Sequence, residues 1–189
     1  MSTALLLENE RVRLQPLQPG DFTSLLSIAT DPAIWQFTPS LVYDASSLSR
    51  WMNRAFEARA TGQREPFLIW DKEQDRAAGS TSLANYSARD QRVEIGYTWL
   101  GRAFQGTGIN QMAKALLLVH AFESMKCKRV ELKTDVLNQQ SRRAMEKIGA
   151  REEGVLRSHT LMHDGRRRDT IFYSILETEW PEVKARLVL

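Results

Sequence analysis

Gln105-Gly106-Thr107-Gly108-Ile109-Asn110 stands between a strand pattern and a helix pattern, and the chain on either side is read from it. Before it, Arg92 to Trp99 alternates with a period of two and is rich in β-formers. After it, Ile109, Met112, Leu116, Val119 and Phe122 recur at helical spacing as far as Met125, with Lys114 off that apolar side. Two glycines let the backbone turn tightly and bring its N–H groups within reach of an anion, and a helix starting beside them adds its positive end. The stretch therefore reads as a pyrophosphate cradle, or more plainly as a glycine turn between strand and helix. A dinucleotide fingerprint would need a third glycine at Gln111, and a P-loop would need Lys and Ser or Thr after the last glycine; the sequence has neither.

Working outward, the first strand runs from Arg11 to Leu17. Asp21 caps a short helix with Phe22, Leu25, Leu26 and Ala29 on one face, which Asp31-Pro32 stops, and Asp44 caps a second whose stripe is Leu48, Trp51, Met52, Ala55 and Phe56. Phe67 to Trp70, Gly79 to Tyr86 and Arg92 to Trp99 form an antiparallel meander. Beyond the glycine stretch and its helix, Arg129 to Val136 alternates as a fifth strand. Asn138 then caps a helix ended by Gly149, and Gly154 to Met162 and Asp169 to Thr178 flank an Asp164-Gly165 turn. The order β-α-α-β-β-β-α-β-α-β-β predicts one α/β domain over residues 1–189, with a mixed, mostly antiparallel sheet of about seven strands flanked by helices.

Composition sets the class. The chain has 189 residues, 42% hydrophobic and 26% charged, which suits one ordinary globular domain with its own core. Its single cysteine, Cys127, rules out an internal disulfide framework and a Cys-rich zinc site, and no metal is expected. The only N-terminal apolar run, Ala4 to Leu7, is too short for a signal peptide or a membrane span, so a cytoplasmic protein with no membrane partner is expected. With 26 Lys and Arg against 23 Asp and Glu, the excess of three positive charges argues against nucleic acid. The dense cluster Arg166-Arg167-Arg168, beside the Asp164-Gly165 turn, reads as a solvated hairpin tip.

The same glycine stretch resembles the phosphate loop of the GCN5-related N-acetyltransferases, in which Arg or Gln and two further residues precede Gly, any residue, and Gly or Ala; Asn110 departs at the last position. EIGYTW before the loop, DVLNQQS after the fifth strand, EKIGAREEGVLR and RRRDTIFYSILETEW extend the resemblance over roughly Leu7 to Trp180, toward the branch that includes the ribosomal-protein alanine N-acetyltransferases. The resemblance implies acetyl transfer from acetyl-CoA, the co-substrate, to a primary amine by direct attack in a ternary complex, in a monomer or homodimer. It implies that Gln105, Gly106, Thr107, Gly108, Ile109 and Asn110 hold the cofactor's phosphates and that Asn138, besides capping its helix, touches the pantetheine arm.

The resemblance further implies Glu94 as the base that deprotonates the amine, unless it is a plain surface residue beside Val93 and a water chain takes the proton, and a backbone N–H near Tyr97 or Thr98 as donor to the thioester oxygen where the strand splays. Many relatives protonate the departing thiolate with a tyrosine at the place of Met145. Here Ser141, the polar residue on a face of Ala144, Met145 and Ile148, is the candidate, unless it bonds its own helix. Trp35 and Phe37 read either as core plugs or as walls of the acceptor pocket, with His159 and His163 on the acceptor side by analogy. Cys127, before a strand and far from the loop, is discounted as a nucleophile. The preferred acceptor is a protein or peptide N-terminal α-amine. A small-molecule acetyltransferase, a non-catalytic acyl-CoA-binding domain and, last, a nucleic-acid binder are the alternatives.

Overall fold

The computed structural model describes residues 5–187; the first four and last two residues of the expected 1–189 domain, Ala4 among them, lie outside the described residues. In chain order the elements are β1 (Leu7–Glu8), β2 (Val12–Pro16), α1 (Phe22–Ala29), α2 (Ala45–Ala60), β3 (Arg64–Asp71), β4 (Arg76–Ser87) and β5 (Arg92–Leu100). They continue with α3 (Ile109–Val119), β6 (Arg129–Asp135), α4 (Gln139–Lys147), β7 (Arg151–Leu161), β8 (Arg167–Leu176) and α5 (Trp180–Arg186). The α/β expectation holds, with two corrections. The sheet has eight strands rather than about seven, because Leu7 and Glu8 pair with Leu14 and Arg13 in a two-residue edge strand too short to show a period. A last helix, α5, follows the final strand with Pro181 in its first turn, where the lost N–H costs nothing.

The strand order is β1-β2-β3-β4-β5-β6-β8-β7, and only β5 and β6 run parallel. Side chains alternate across the sheet, so its two faces hold two cores. Val93 and Ile95 of β5 pack with Ile109, Ala113 and Leu117 of α3, while Leu68 and Trp99 pack with Leu25 of α1 and Leu48, Trp51 and Met52 of α2. Asp44 caps α2 as expected, accepting a hydrogen bond from the Ser47 N–H at 2.7 Å.

Two irregularities in β5 position the site. Its parallel ladder with β6 covers only Arg92 to Glu94 against Arg129 to Glu131, after which the two strands part. On the other edge the register slips between Ser80 and Ser82, so Tyr97 and Thr98 together oppose Thr81, and Tyr97 takes φ +54°. This β-bulge turns the end of β5 away from β6, and a hydroxyl contact of 2.8 Å between Thr81 and Thr98 holds it.

Candidate active site

The glycine loop leaves the end of β5 and enters α3. Gly106 and Gly108 have φ of +77° and +92°, and a Cβ at either would meet no atom within 4 Å. Glycine is thus required by backbone conformation, and the space over the loop is open. Gly108 is the N-cap of α3, so the first free N–H groups of the helix lie beside that space. The Thr107 hydroxyl donates to the Phe104 carbonyl at 2.7 Å, and the Thr107 carbonyl accepts from Arg11 Nη1 at 3.2 Å. Ile109 is buried in the core. Of the six candidate cradle residues, Gln105, Gly106, Gly108 and Asn110 line the adjoining groove, while the side chains of Thr107 and Ile109 brace the loop from behind.

The groove has a volume of about 490 Å³ and lies along the end of β5, beyond the point where its ladder with β6 stops. On one side α3 offers Asn110, Gln111 and Lys114; on the other α4 offers Asn138, Ser141 and Ala144. Asn138 Oδ1 accepts from the Ser141 N–H at 3.0 Å, which makes it the N-cap that the sequence suggests. Among the described residues no hydrogen bond engages the Ser141 hydroxyl, and Met145 is buried in the core beneath it. Thr98 and Trp99 lie at the bulge, and the indole Nε1–H of Trp99 is buried without a partner among the described residues. Tyr97 is exposed and does not line the groove; its ring covers the Arg64 guanidinium at 4.1 Å. Arg64 also faces the Trp51 ring at 5.5 Å, and burial pushes it down to about 10.

Glu94 lies just before the bulge, 5% exposed, and outside the groove lining. Its Oε2 accepts from Lys133 Nζ at 2.8 Å and from Asn85 Nδ2 at 2.9 Å, so the buried carboxylate is ion-paired. Its Oε1 lies 2.7 Å from where a Cβ on Gly96 would be, so glycine there admits the carboxylate over the bulge. Lys133 and Asn85 escape sequence reasoning because they reach Glu94 from neighbouring strands, 39 and 9 residues away.

On the acceptor side the expectations divide. Phe37 lines the groove with Ile34 and Thr38, whereas Trp35 is 1% exposed and belongs to the core. The Trp35 ring packs against Trp99 at 5.2 Å and Trp51 at 6.3 Å, and its Nε1 donates to the Ala29 carbonyl at 2.7 Å, so of its two readings the core plug is the one the packing gives. The arginine cluster is a solvated tip only in part: Arg167 and the Asp164-Gly165 turn are exposed, Arg166 is half-buried and Arg168 is buried. Arg166 binds the buried Asp135 at 2.5 Å, and Arg168, itself buried, donates to Thr170 Oγ1 at 3.0 Å and to the Phe37 carbonyl at 3.4 Å. Buried carboxylate and carbonyl oxygens need donors, and two of the three arginines supply them, tying the last hairpin to β6 and to the loop at Phe37. His159 is hydrogen-bonded to Thr170 Oγ1, His163 Nε2 lies 3.3 Å from the Trp35 carbonyl, and Cys127 is buried with its thiol pushed up by desolvation.

Open space over the glycine loop at one end of the groove, beside the first N–H groups of α3, and Ile34 and Phe37 at the other suit a long ligand with a charged head and a reactive tail. A family model described as an acetyltransferase (GNAT) domain matches residues 11–151. The Bacillus subtilis (strain 168) protein named "Putative ribosomal N-acetyltransferase YdaF" is 38% identical over 181 residues, covering 91% of this chain and 94% of its own. A GCN5-related N-acetyltransferase from Brucella melitensis superimposes with a TM-score of 0.90 at 25% identity, over 97% of this chain and 83% of its own. Mycobacterium smegmatis RimJ, solved in complex with CoA-disulfide, shares the fold with a TM-score of 0.81 at 23% identity, over 97% of this chain and 92% of its own. The chain belongs to the GNAT family of acetyltransferases.

Proposed function

We propose that this protein transfers an acetyl group from acetyl-CoA to the α-amine of a protein or peptide. The observation that carries the reading is the groove itself, which joins the glycine loop to Phe37 past the end of β5, beyond the point where its ladder with β6 stops. The open cradle, the free N–H groups of α3 and the groove-lining Lys114, which has no carboxylate partner among the described residues, fit a phosphate-bearing ligand. Acetyl-CoA, when bound, supplies a thioester carbonyl as the acetyl donor. Gln105, Gly106, Gly108 and Asn110 hold its phosphates, Thr107 and Ile109 brace the loop, and Asn138 offers its amide to the pantetheine arm. The bulge at Tyr97 and Thr98 frees backbone N–H groups for the carbonyl oxygen. Glu94, held by Lys133 and outside the groove lining, accepts the amine proton through water, and the Ser141 hydroxyl donates toward the sulfur. Phe37 walls the acceptor pocket, while Trp35 supports it from the core.

Proton arithmetic favours the α-amine. With a pKa near 8 it is about a tenth neutral at pH 7, against roughly one lysine amine in 2,500. A base that works through water serves the former more readily. The Bacillus subtilis relative named for ribosomal acetylation supports a protein acceptor. The test sets peptides with free and with blocked N-termini, each containing one lysine, against spermidine, and follows products by mass spectrometry. Acetylation at the free N-terminus is expected; equal turnover of the blocked peptide, or a spermidine kcat/KM far above both, refutes the preference.

A further inference from the structure

Asn110, where the loop departs from the family pattern, accepts a hydrogen bond from Lys114 Nζ at 3.1 Å, one helical turn along α3. Lys114 is only 6% exposed, yet it lines the groove. Beyond it α3 is apolar, since Leu117 and Leu118 are fully buried, so this ammonium is the innermost polar group on its wall. Among the described residues the one acid on the groove, Asp31, lies 3.9 Å from Arg102, and the remaining charged group there is Lys147, another cation. Burial alone, with no neighbouring charge, pushes the Lys114 amine down to about 8. A buried cation without a counter-ion is costly, and a fold that keeps one in a ligand groove has the ligand's negative charge to set against it. Side chains on a helix lean toward its N-terminus, so Lys114 reaches back toward the glycine loop, where Asn110 catches it.

We propose that Lys114 is a cationic contact for the pyrophosphate of the CoA moiety and that Asn110 positions it. The inference rests on the acetyl-CoA reading above and extends the cradle from backbone N–H groups to a full positive charge. It also gives the departure at Asn110 a purpose: the larger side chain holds the ammonium at the level of the phosphates. A charge-assisted hydrogen bond to phosphate is among the stronger single contacts a protein makes.

The test is calorimetric binding of CoA and of dephospho-CoA, which lacks the 3′-phosphate but keeps the pyrophosphate, to the wild type, Lys114→Met and Asn110→Ala. Lys114→Met is expected to weaken both ligands equally, by about tenfold or more, and Asn110→Ala to weaken both by a smaller factor. Melting temperatures recorded alongside guard against a folding defect, and Asn110→Ala, on the half-exposed first turn, keeps the test decisive if Lys114→Met folds poorly. Unchanged affinity in both variants overturns the proposal, as does a loss seen with CoA but not with dephospho-CoA, which would put Lys114 on the 3′-phosphate. A wild type that binds neither ligand would instead overturn the co-substrate reading.

Discussion

Lys114→Met, a near-isosteric loss of charge, is expected to stabilise the ligand-free protein while it weakens CoA binding. The amine titrates at 10.5 in the unfolded chain and is held near 8 in the fold by desolvation. That difference corresponds to about 3 kcal/mol of lost stability at neutral pH. Below pH 8 both states carry the proton and the whole cost is present. Between pH 8 and 10.5 the unfolded chain holds more protons than the folded one, so stability recovers as pH rises through that window. Removing the amine also removes the hydrogen bond to Asn110, worth about 1 kcal/mol, but Asn110 is half-exposed and water can replace the donor. The variant should therefore be more stable by about 2 kcal/mol at pH 7, which for a domain of this size raises Tm by about 4–8 °C. Neither Asp31, paired with Arg102, nor the cations Arg102 and Lys147 on the same groove remove the cost. Urea unfolding followed by tryptophan fluorescence, for both proteins at several pH values from 7 to 10, reads the difference directly. The gap should narrow as pH rises and vanish near the top of the range. A variant less stable than wild type at pH 7, or a gap independent of pH, would show that burial of the Lys114 ammonium carries no such cost.

Gly108→Val should abolish CoA binding in calorimetry while the circular dichroism spectrum persists, because a branched side chain would fill the open cradle and strain a backbone at φ +92° by about 1–3 kcal/mol. Retained affinity would show that the ligand approaches elsewhere. If Glu94 receives the amine proton, Glu94→Gln should lower kcat by about 10² and flatten the basic limb of the pH–rate profile, with Ser141→Ala costing less because water can protonate a thiolate. Trp35→Ala should cost about 3–5 kcal/mol of stability in denaturant melts, while Phe37→Ala should act chiefly on the acceptor KM; equal destabilisation by both would place Phe37 in the core.

The elements with a clear period were legible, because period two and period 3.6 record which side of a strand or helix meets a core. The glycine loop was legible for a related reason: Gly106 and Gly108 hold positive φ, which other residues resist. What stayed hidden depends on partners distant in sequence. A two-residue β1 has no period to read, and it exists because β2 offers an edge. The arginine cluster looks solvated from its neighbours, since nothing nearby announces that Asp135, 31 residues earlier, waits buried for Arg166. Lys114 falls off the apolar side of its helix, as a surface lysine would; only the packing of the groove shows that it is buried. Trp35 had two readings on residue type alone, and the contacts with Trp51 and Trp99 are what place it in the core.

In the function proposed above, one groove carries the acetyl donor from the glycine loop to the bulge in β5. A crystal structure of the protein with CoA tests it most directly. The pyrophosphate is expected over Gly106 and Gly108 within hydrogen-bonding distance of Lys114, and the thiol between Thr98 and Ser141, facing Phe37. CoA bound outside this groove, or with its thiol turned away from the end of β5, would contradict it.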